Sequence, residues 1–319
     1  MNPHGKSKPK SAPCAIRPPT ESMSTSRVEI FSPAKINLSL AITGRRPDGY
    51  HELVSVVTPL AWGDTLVAER MADGAGFALT CDDPAVPSGP ENLVMKAAAA
   101  FRESTGWSGG VNFTLHKQIP MGAGLGGGSS NAASALLALN QLAGEPLNPT
   151  GLATAAAQVG SDCALFLLRA PVVMRGRGER VEALPAAATK RLSGREVLVF
   201  KPAFGISTAW AYGQLAAAAP GGYLPAAEAE AQLTRWLNEP AAIGTLLYNN
   251  MESPAFAKFP ALPVLLNRLR NDFGLTAGMS GSGSACFALF AENLPEEEIG
   301  NAIREAWGPS TFLARTRLV

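Results

Sequence analysis

The stretch PMGAGLGGGSS, Pro120 to Ser130, constrains this chain more than any other. Before it, Val111, Phe113, Leu115 and Ile119 alternate with polar residues, the period-two pattern of a strand. After it, Asn131–Leu142 reads as a helix ended by Gly144. Glycines between a strand and a helix let the backbone adopt positive φ and approach a ligand closely. With a helix starting at Ser129–Asn131, free N–H groups and the positive end of the helix dipole make an anion site suited to a di- or triphosphate. The candidate phosphate-binding residues are Pro120, Met121, Gly122, Ala123, Gly124, Leu125, Gly126, Gly127, Gly128, Ser129 and Ser130. The two serine hydroxyls could meet phosphate oxygens or a bound Mg²⁺, with Ser130 the preferred metal ligand.

Two other phosphate motifs fit less well. The P-loop pattern needs a lysine after the glycines, and none follows. The dinucleotide pattern G-x-G-x-x-G does match at Gly122, Gly124 and Gly127. It should open a βαβ unit with an acid after the second strand. The nearest later acid is Glu145, in a helix-ending GEPLNP turn. A glycine loop with no ligand remains the plain alternative, at a cost in backbone entropy.

Composition excludes several classes. The net charge is +1, which leaves no basic excess to neutralise a run of nucleic-acid phosphates. Aromatic residues are 7%, too few for a surface of base-stacking platforms. No run of about 18 apolar residues is present, so no membrane span is expected. Cys14, Cys81, Cys163 and Cys286 form no C-x-x-C pair, and the three histidines do not cluster. That argues for a reducing compartment, the cytoplasm. Residues 1–26 are rich in Pro, Ser and Lys and read as a disordered tail, with Met23 as the functional start.

The remainder mixes strands and helices without a strict βαβ rhythm, which favours an α+β fold. Val28–Phe31 reads as a short strand. In SPAKINLSLAIT, Ile36, Leu38, Leu40 and Ile42 alternate with Lys35, Asn37, Ser39 and Ala41, placing Lys35, Asn37 and Ser39 on one polar face. A turn, GRRPDGYH, follows; His51–Leu60, Thr65–Glu69 and Phe77–Cys81 read as strands. Asn92–Ser104 is expected to be a helix with Asn92 as N-cap. A further short helix runs to about Val159, ahead of GSDCALFL. Beyond residue 177, Glu196–Lys201 and Thr311–Leu318 read as strands, and Thr208–Ala218, Ala226–Trp236, Leu262–Asp272 and Pro295–Ala306 as helices. GMSGSGSACFALF is a glycine turn running into an apolar strand.

These residues carry a resemblance. PMGAGLGGGSSNAA resembles the phosphate-binding loop of the GHMP kinases, and GMSGSGSACFALF resembles their third motif. SPAKINLSLAITGRRPDGYHEL resembles the N-terminal signature of the branch acting on 4-diphosphocytidyl-2-C-methyl-D-erythritol. The motifs span Ser32 to Phe290, nearly the whole chain after the tail. The resemblance implies a GHMP kinase fold: a domain like ribosomal protein S5 domain 2 over 27–176 and a ferredoxin-like domain over 177–319. It implies MgATP-dependent phosphorylation of the 2-hydroxyl of that substrate, in the non-mevalonate isoprenoid pathway. The partner is then a small molecule with a cytidine diphosphate group, and the protein a monomer or weak homodimer.

The resemblance also assigns roles. Asp162 matches the family's catalytic carboxylate, although Ser161, Cys163 and Ala164 stand where Ala, Val and Pro are usual. Such a carboxylate could take the proton of a tertiary hydroxyl as it attacks phosphorus. Taken alone, the residue would more often cap a helix. Lys35 matches the catalytic lysine; taken alone it would be a solvated strand lysine. Asn37, Tyr50 and His51 correspond to substrate-binding positions, the last two at the cytosine. Tyr212 is aligned more loosely as a second base-stacking ring. Gly281, Ser282 and Gly283 would bring backbone N–H groups to the phosphates. Mevalonate- and homoserine-type kinases, a non-catalytic nucleotide-binding module and a Rossmann dehydrogenase are the alternatives.

Overall fold

The computed structural model describes Met1 and residues 26–239, 241–290 and 294–319. The expected tail and the start at Met23 lie outside the described residues. Two long strands, β1 (Arg27–Arg45) and β2 (His51–Met71), form the spine as an antiparallel hairpin. Each joins what the sequence suggested were two strands. The join in β2 runs through Gly63, where a Cβ would sit 2.1 Å from the Ser32 carbonyl oxygen. Only glycine lets the two strands approach so closely there.

A bulge between Asn37 and Ser39 turns β1 over. Ile36 and Leu38 pack with Ala41 in one apolar cluster, whereas Leu40 and Ile42 join another. Ser39 therefore does not share a face with Lys35 and Asn37, against the simple alternation; it lies beside Ala41. Nor is the face solvated: Lys35 and Asn37 are both buried.

The spine continues into a seven-stranded sheet, in order β3-β4-β2-β1-β8, with β5 attached to β2 and β6 to β5. Here β3 is Phe77–Cys81, β4 Gly110–His116, β5 Val172–Gly176, β6 Arg180–Ala183 and β8 Tyr248–Asn249. The sheet thus takes strands from both sides of residue 177. Helices α1 (Leu93–Thr105), α2 (Gly127–Leu142), α3 (Pro149–Val159) and α4 (Cys163–Leu168) accompany it. Asn92 caps α1 through Val94 N at 2.9 Å, and Gly106 closes it in the left-handed conformation. Phe101, Phe113, Leu136 and Leu139 fill the layer between helices and sheet.

Four antiparallel strands, ordered β11-β7-β10-β9, make a second sheet from β7 (Glu196–Lys201), β9 (Thr276–Met279), β10 (Cys286–Leu289) and β11 (Phe312–Arg317). Its helices are α5 (Ala186–Leu192), α6 (Thr208–Ala217), α7 (Ala226–Asn238), α8 (Glu252–Lys258), α9 (Ala261–Phe273) and α10 (Glu296–Trp307). This is the expected α+β architecture with a ferredoxin-like second unit. No described helix is long and apolar enough to cross a membrane. Among the described residues Cys81, Cys163 and Cys286 are free thiols.

Candidate active site

The glycine loop forms by alternation. Gly122, Gly124 and Gly126 all have positive φ, while Ala123 and Leu125 between them are buried. Gly124 has no room for a side chain, since a Cβ would lie 2.4 Å from the Ser280 carbonyl oxygen. Helix α2 begins at Gly127, earlier than Ser129–Asn131, because Gly126 serves as its left-handed cap and its carbonyl already accepts from Ser130 N at 2.9 Å. The N–H groups of Gly127, Gly128 and Ser129 are the unpaired donors of a helix start. No side chain caps them. Lys117, paired with the buried Asp64 at 2.8 Å, lies beside Gly127. Ser129 is half-buried. Ser130 is fully buried, and its Oγ has no hydrogen-bond partner.

Three distant stretches are laced together next to this loop. Lys35 N donates to Leu125 O at 3.0 Å. The Ser280 hydroxyl accepts from Asn37 N at 3.3 Å and donates to Gly124 O at 3.1 Å. Ala285 N donates to Ala123 O at 3.0 Å. Strand β1, the glycine loop and the later glycine turn thus share one hydrogen-bond network.

Beside it opens a cleft of about 1040 Å³. Of the residues singled out in the sequence, Lys35, Asn37, Tyr50, His51, Gly124, Gly126, Asp162, Tyr212, Gly281 and Ser282 line it. The rest of the glycine loop and Gly283 do not. A Cβ at Gly283 would instead meet Met279 and Ile206.

Lys35 Nζ donates to Asn37 Oδ1 at 2.6 Å, and Asn37 Nδ2 donates to Ser55 Oγ at 2.9 Å. Only 5% of Lys35 is exposed, which is not the setting of a solvated strand lysine. Burial lowers its pKa, and the charge of Asp162 acts in the opposite direction. Asp162 precedes α4 but makes no side-chain capping bond. It is the single carboxylate among the described residues lining the cleft. Its charge also reaches Tyr212, whose phenol is raised well above its ordinary value, chiefly by burial. Asp162, Lys35 and Tyr212 therefore form one electrostatic neighbourhood.

Tyr212 links this group to an aromatic part of the cleft. His51 packs on Tyr212 with ring centroids 4.8 Å apart, and Tyr223 lies 5.9 Å away on the same imidazole. His51 Nε2 is buried without a partner. Burial, and then repulsion from Arg45, lower its pKa, so the neutral ring is favoured. Tyr50 is 54% exposed, with the Arg177 guanidinium 5.0 Å from its ring centroid. The turn beneath is braced by Arg46, which pairs with Asp48 and Glu52.

Several lining residues escaped the motif reading. Arg45 and Ser161 sit inside the GRRPDGYH and GSDCALFL segments but carry no assigned role there, and Ser55, Thr208 and Arg177 lie outside the family motifs. Of these last three, Arg177 had a signal, the flanking glycines of RGRGE. Tyr223 follows a Gly-Gly turn and reaches the site only through tertiary packing.

A family model described as the GHMP kinases N terminal domain matches residues 92–169, and one described as GHMP kinases C terminal matches 227–309. The chain is 38% identical over 297 residues to a 4-diphosphocytidyl-2-C-methyl-D-erythritol kinase of Synechococcus sp. (strain CC9311), covering 90% of this chain and 94% of that one. It is 39% identical to the enzyme so named of Desulfitobacterium hafniense (strain Y51), covering 89% and 94%. A crystal structure of 4-(cytidine 5'-diphospho)-2C-methyl-D-erythritol kinase superposes with TM-score 0.70 at 36% identity, covering 91% of this chain and 99% of that one. A homoserine kinase from Cytophaga hutchinsonii superposes at 0.72 with 19% identity, covering 95% and 98%, a likeness of fold alone.

Proposed function

Since the chain belongs to the 4-diphosphocytidyl-2-C-methyl-D-erythritol kinase family of the GHMP kinases, and is a kinase using ATP, we propose that it phosphorylates the 2-hydroxyl of that cytidyl substrate. The products would be the 2-phosphate and ADP, in the non-mevalonate route to isoprenoids. One observation carries the reading. A single cleft holds a buried lysine and a free carboxylate at one end, and at the other an imidazole with an unpartnered buried nitrogen among aromatic rings.

The chemistry follows from that arrangement. The cytosine rests near Tyr50, with neutral His51 offering its ring nitrogen to the base edge. Tyr212 packs on the imidazole and holds it in place. Arg45 and Arg177, both lining the cleft, supply positive charge for the substrate's diphosphate. The 2-hydroxyl meets Asp162, whose carboxylate takes the proton as the oxygen bonds to the γ-phosphorus. The bond from that phosphorus to the β–γ bridging oxygen breaks, and ADP departs. The Lys35 ammonium, fixed by Asn37, offsets charge developing on the transferring group. The free N–H groups at the start of α2 hold the ATP phosphates.

Mg²⁺ would arrive with ATP and neutralise its phosphates. The described residues contain no group of three or more His, Cys, Asp or Glu placed to hold a metal. The phosphates would therefore supply most ligands, with the orphaned Ser130 hydroxyl as the protein's contribution.

The test is ADP release from MgATP, with and without 4-diphosphocytidyl-2-C-methyl-D-erythritol. Wild type is expected to respond to the substrate, and Asp162→Asn to lose roughly 10²–10⁴-fold in kcat. No stimulation, with ATP still bound, would point to a different acceptor within the superfamily.

A further inference from the structure

Two consecutive asparagines, Asn249 at the end of β8 and Asn250 directly after it, bond to different stretches of backbone and grip different parts of the cleft. Asn249 Nδ2 donates to Met279 O and to Gly281 O, both at 2.9 Å, while its Oδ1 accepts from Met251 N at 3.0 Å. Asn250 Nδ2 donates to Ile42 O at 2.8 Å and to Gly222 O at 3.1 Å, and its Oδ1 accepts from Ile42 N at 3.0 Å. Neither side chain lines the cleft, so neither touches a ligand directly.

The first grip has a directional consequence. The Gly281–Ser282 peptide is trans. In a trans peptide the carbonyl and the following N–H point in opposite directions. With the Gly281 carbonyl drawn towards Asn249, the Ser282 N–H points away from it, to the side where Gly281 and Ser282 line the cleft. That N–H makes no hydrogen bond among the described residues. On the same side, a Cβ at Gly281 would lie 3.4 Å from Lys35 Nζ and 3.3 Å from Asn37 Oδ1. A free backbone donor is thus aimed at the lysine end of the cleft.

The second grip acts on the aromatic end. Asn250 pairs with both backbone groups of Ile42, much as a neighbouring strand would. It also holds the carbonyl of Gly222, next to Tyr223, which packs on His51. Leu224 N donates to Ile42 O at 3.1 Å and closes the same joint.

We propose that Asn249 and Asn250 are separate positioning residues for the two halves of the reaction: Asn249 aims the Ser282 N–H at the phosphoryl group in flight, and Asn250 sets the wall that reads the base. This rests on the kinase reading for the meaning of kcat.

The test compares Asn249→Asp and Asn250→Asp. Each keeps the side chain's shape but turns a donor into an acceptor facing two carbonyl oxygens. Asn249→Asp is expected to lose about 100-fold in kcat, the scale of one misdirected oxyanion donor. Its KM for the cytidyl substrate and its affinity for CDP by calorimetry should stay within about threefold. Asn250→Asp is expected to raise that KM and weaken CDP by about tenfold or more, with kcat within about threefold. Hydrogen exchange over 279–284 should quicken in the Asn249 variant alone. A kcat for Asn249→Asp near wild type, or equal loss of CDP affinity in both variants, overturns the inference. If the aspartate variants do not fold, Asn249→Ala and Asn250→Ala should show the same split. A wild type without substrate-dependent turnover sinks the kinase reading instead. CDP affinity and exchange then still decide: a turn in Asn249→Asp that exchanges as in wild type overturns the proposal.

Discussion

Lys35 carries a conflict between stability and use. Burying an ammonium costs free energy, and here its carboxylate neighbour offsets only part of that cost. The sign follows from linkage. The folded-state pKa lies below the ordinary lysine value, so the folded state binds fewer protons in the window between the two, and stability rises with pH there. Replacing the ammonium with a chain of similar shape removes the burial cost. Lys35→Met is therefore expected to abolish turnover while the thermal midpoint holds or rises, measured by calorimetry at pH 7. A clear fall in midpoint would mean that the bond to Asn37 outweighs the cost of burial. Sequence pattern located Lys35 and Asp162 through their motifs. It gave no sign that Lys35 is buried, because burial depends on the later glycine turn closing over β1. The same limit applied to Tyr223, whose role exists only once Asn250 has pinned the neighbouring turn.

Among the elements, the start of α2 shows how closely the loop is fitted to the strand beneath it. A Cβ on Gly126 would lie 2.7 Å from the Phe166 ring and 3.0 Å from Lys35 Cγ, at a φ of +73°. Gly126→Ala would strain the backbone and push on the lysine at once. The expected outcome is a fall in kcat of about 10²-fold, the scale of an ångström of misplacement, measured by steady-state kinetics on folded protein. An unchanged rate would show that the loop relaxes without disturbing Lys35. The periodicity of β1 was legible in sequence, yet its bulge was not. Period-two alternation persists through SPAKINLSLAIT in letters, while the extra residue exchanges the faces halfway along. Both faces are covered by protein, so apolar residues suit either side, and composition carries no trace of the switch.

On the scale of the molecule, the cleft gathers residues from the first sheet, from the β1–β2 hairpin tip, from the glycine loop, from α6 and from the turn between β9 and β10 of the second sheet. A ligand filling it binds the folded state alone. CDP at about 100 times its Kd should stabilise by about 2.7 kcal/mol, raising the midpoint by roughly 5 °C. The shift should shrink as pH falls below the ordinary histidine range, because His51 resists protonation until its lowered pKa is passed. A pH-independent shift would remove His51 from base recognition. The two-unit fold was readable from mixed elements and family motifs. The sharing of strands across residue 177 was not, since β6 is four residues long and β8 two, too short to show a pattern.

The hairpin that forms the spine has a consequence for substrate length. Lys35 lies on one arm, and Tyr50 and His51 sit at its braced tip. Backbone pairing sets the span between them, so one rigid piece of polypeptide acts as a ruler. A cytidine ligand with one phosphate in its linker could seat its base at the tip, but its hydroxyl would stop short of Lys35 and Asp162. The protein would then measure its acceptor from end to end, and an analogue too short would occupy the cleft as an inhibitor.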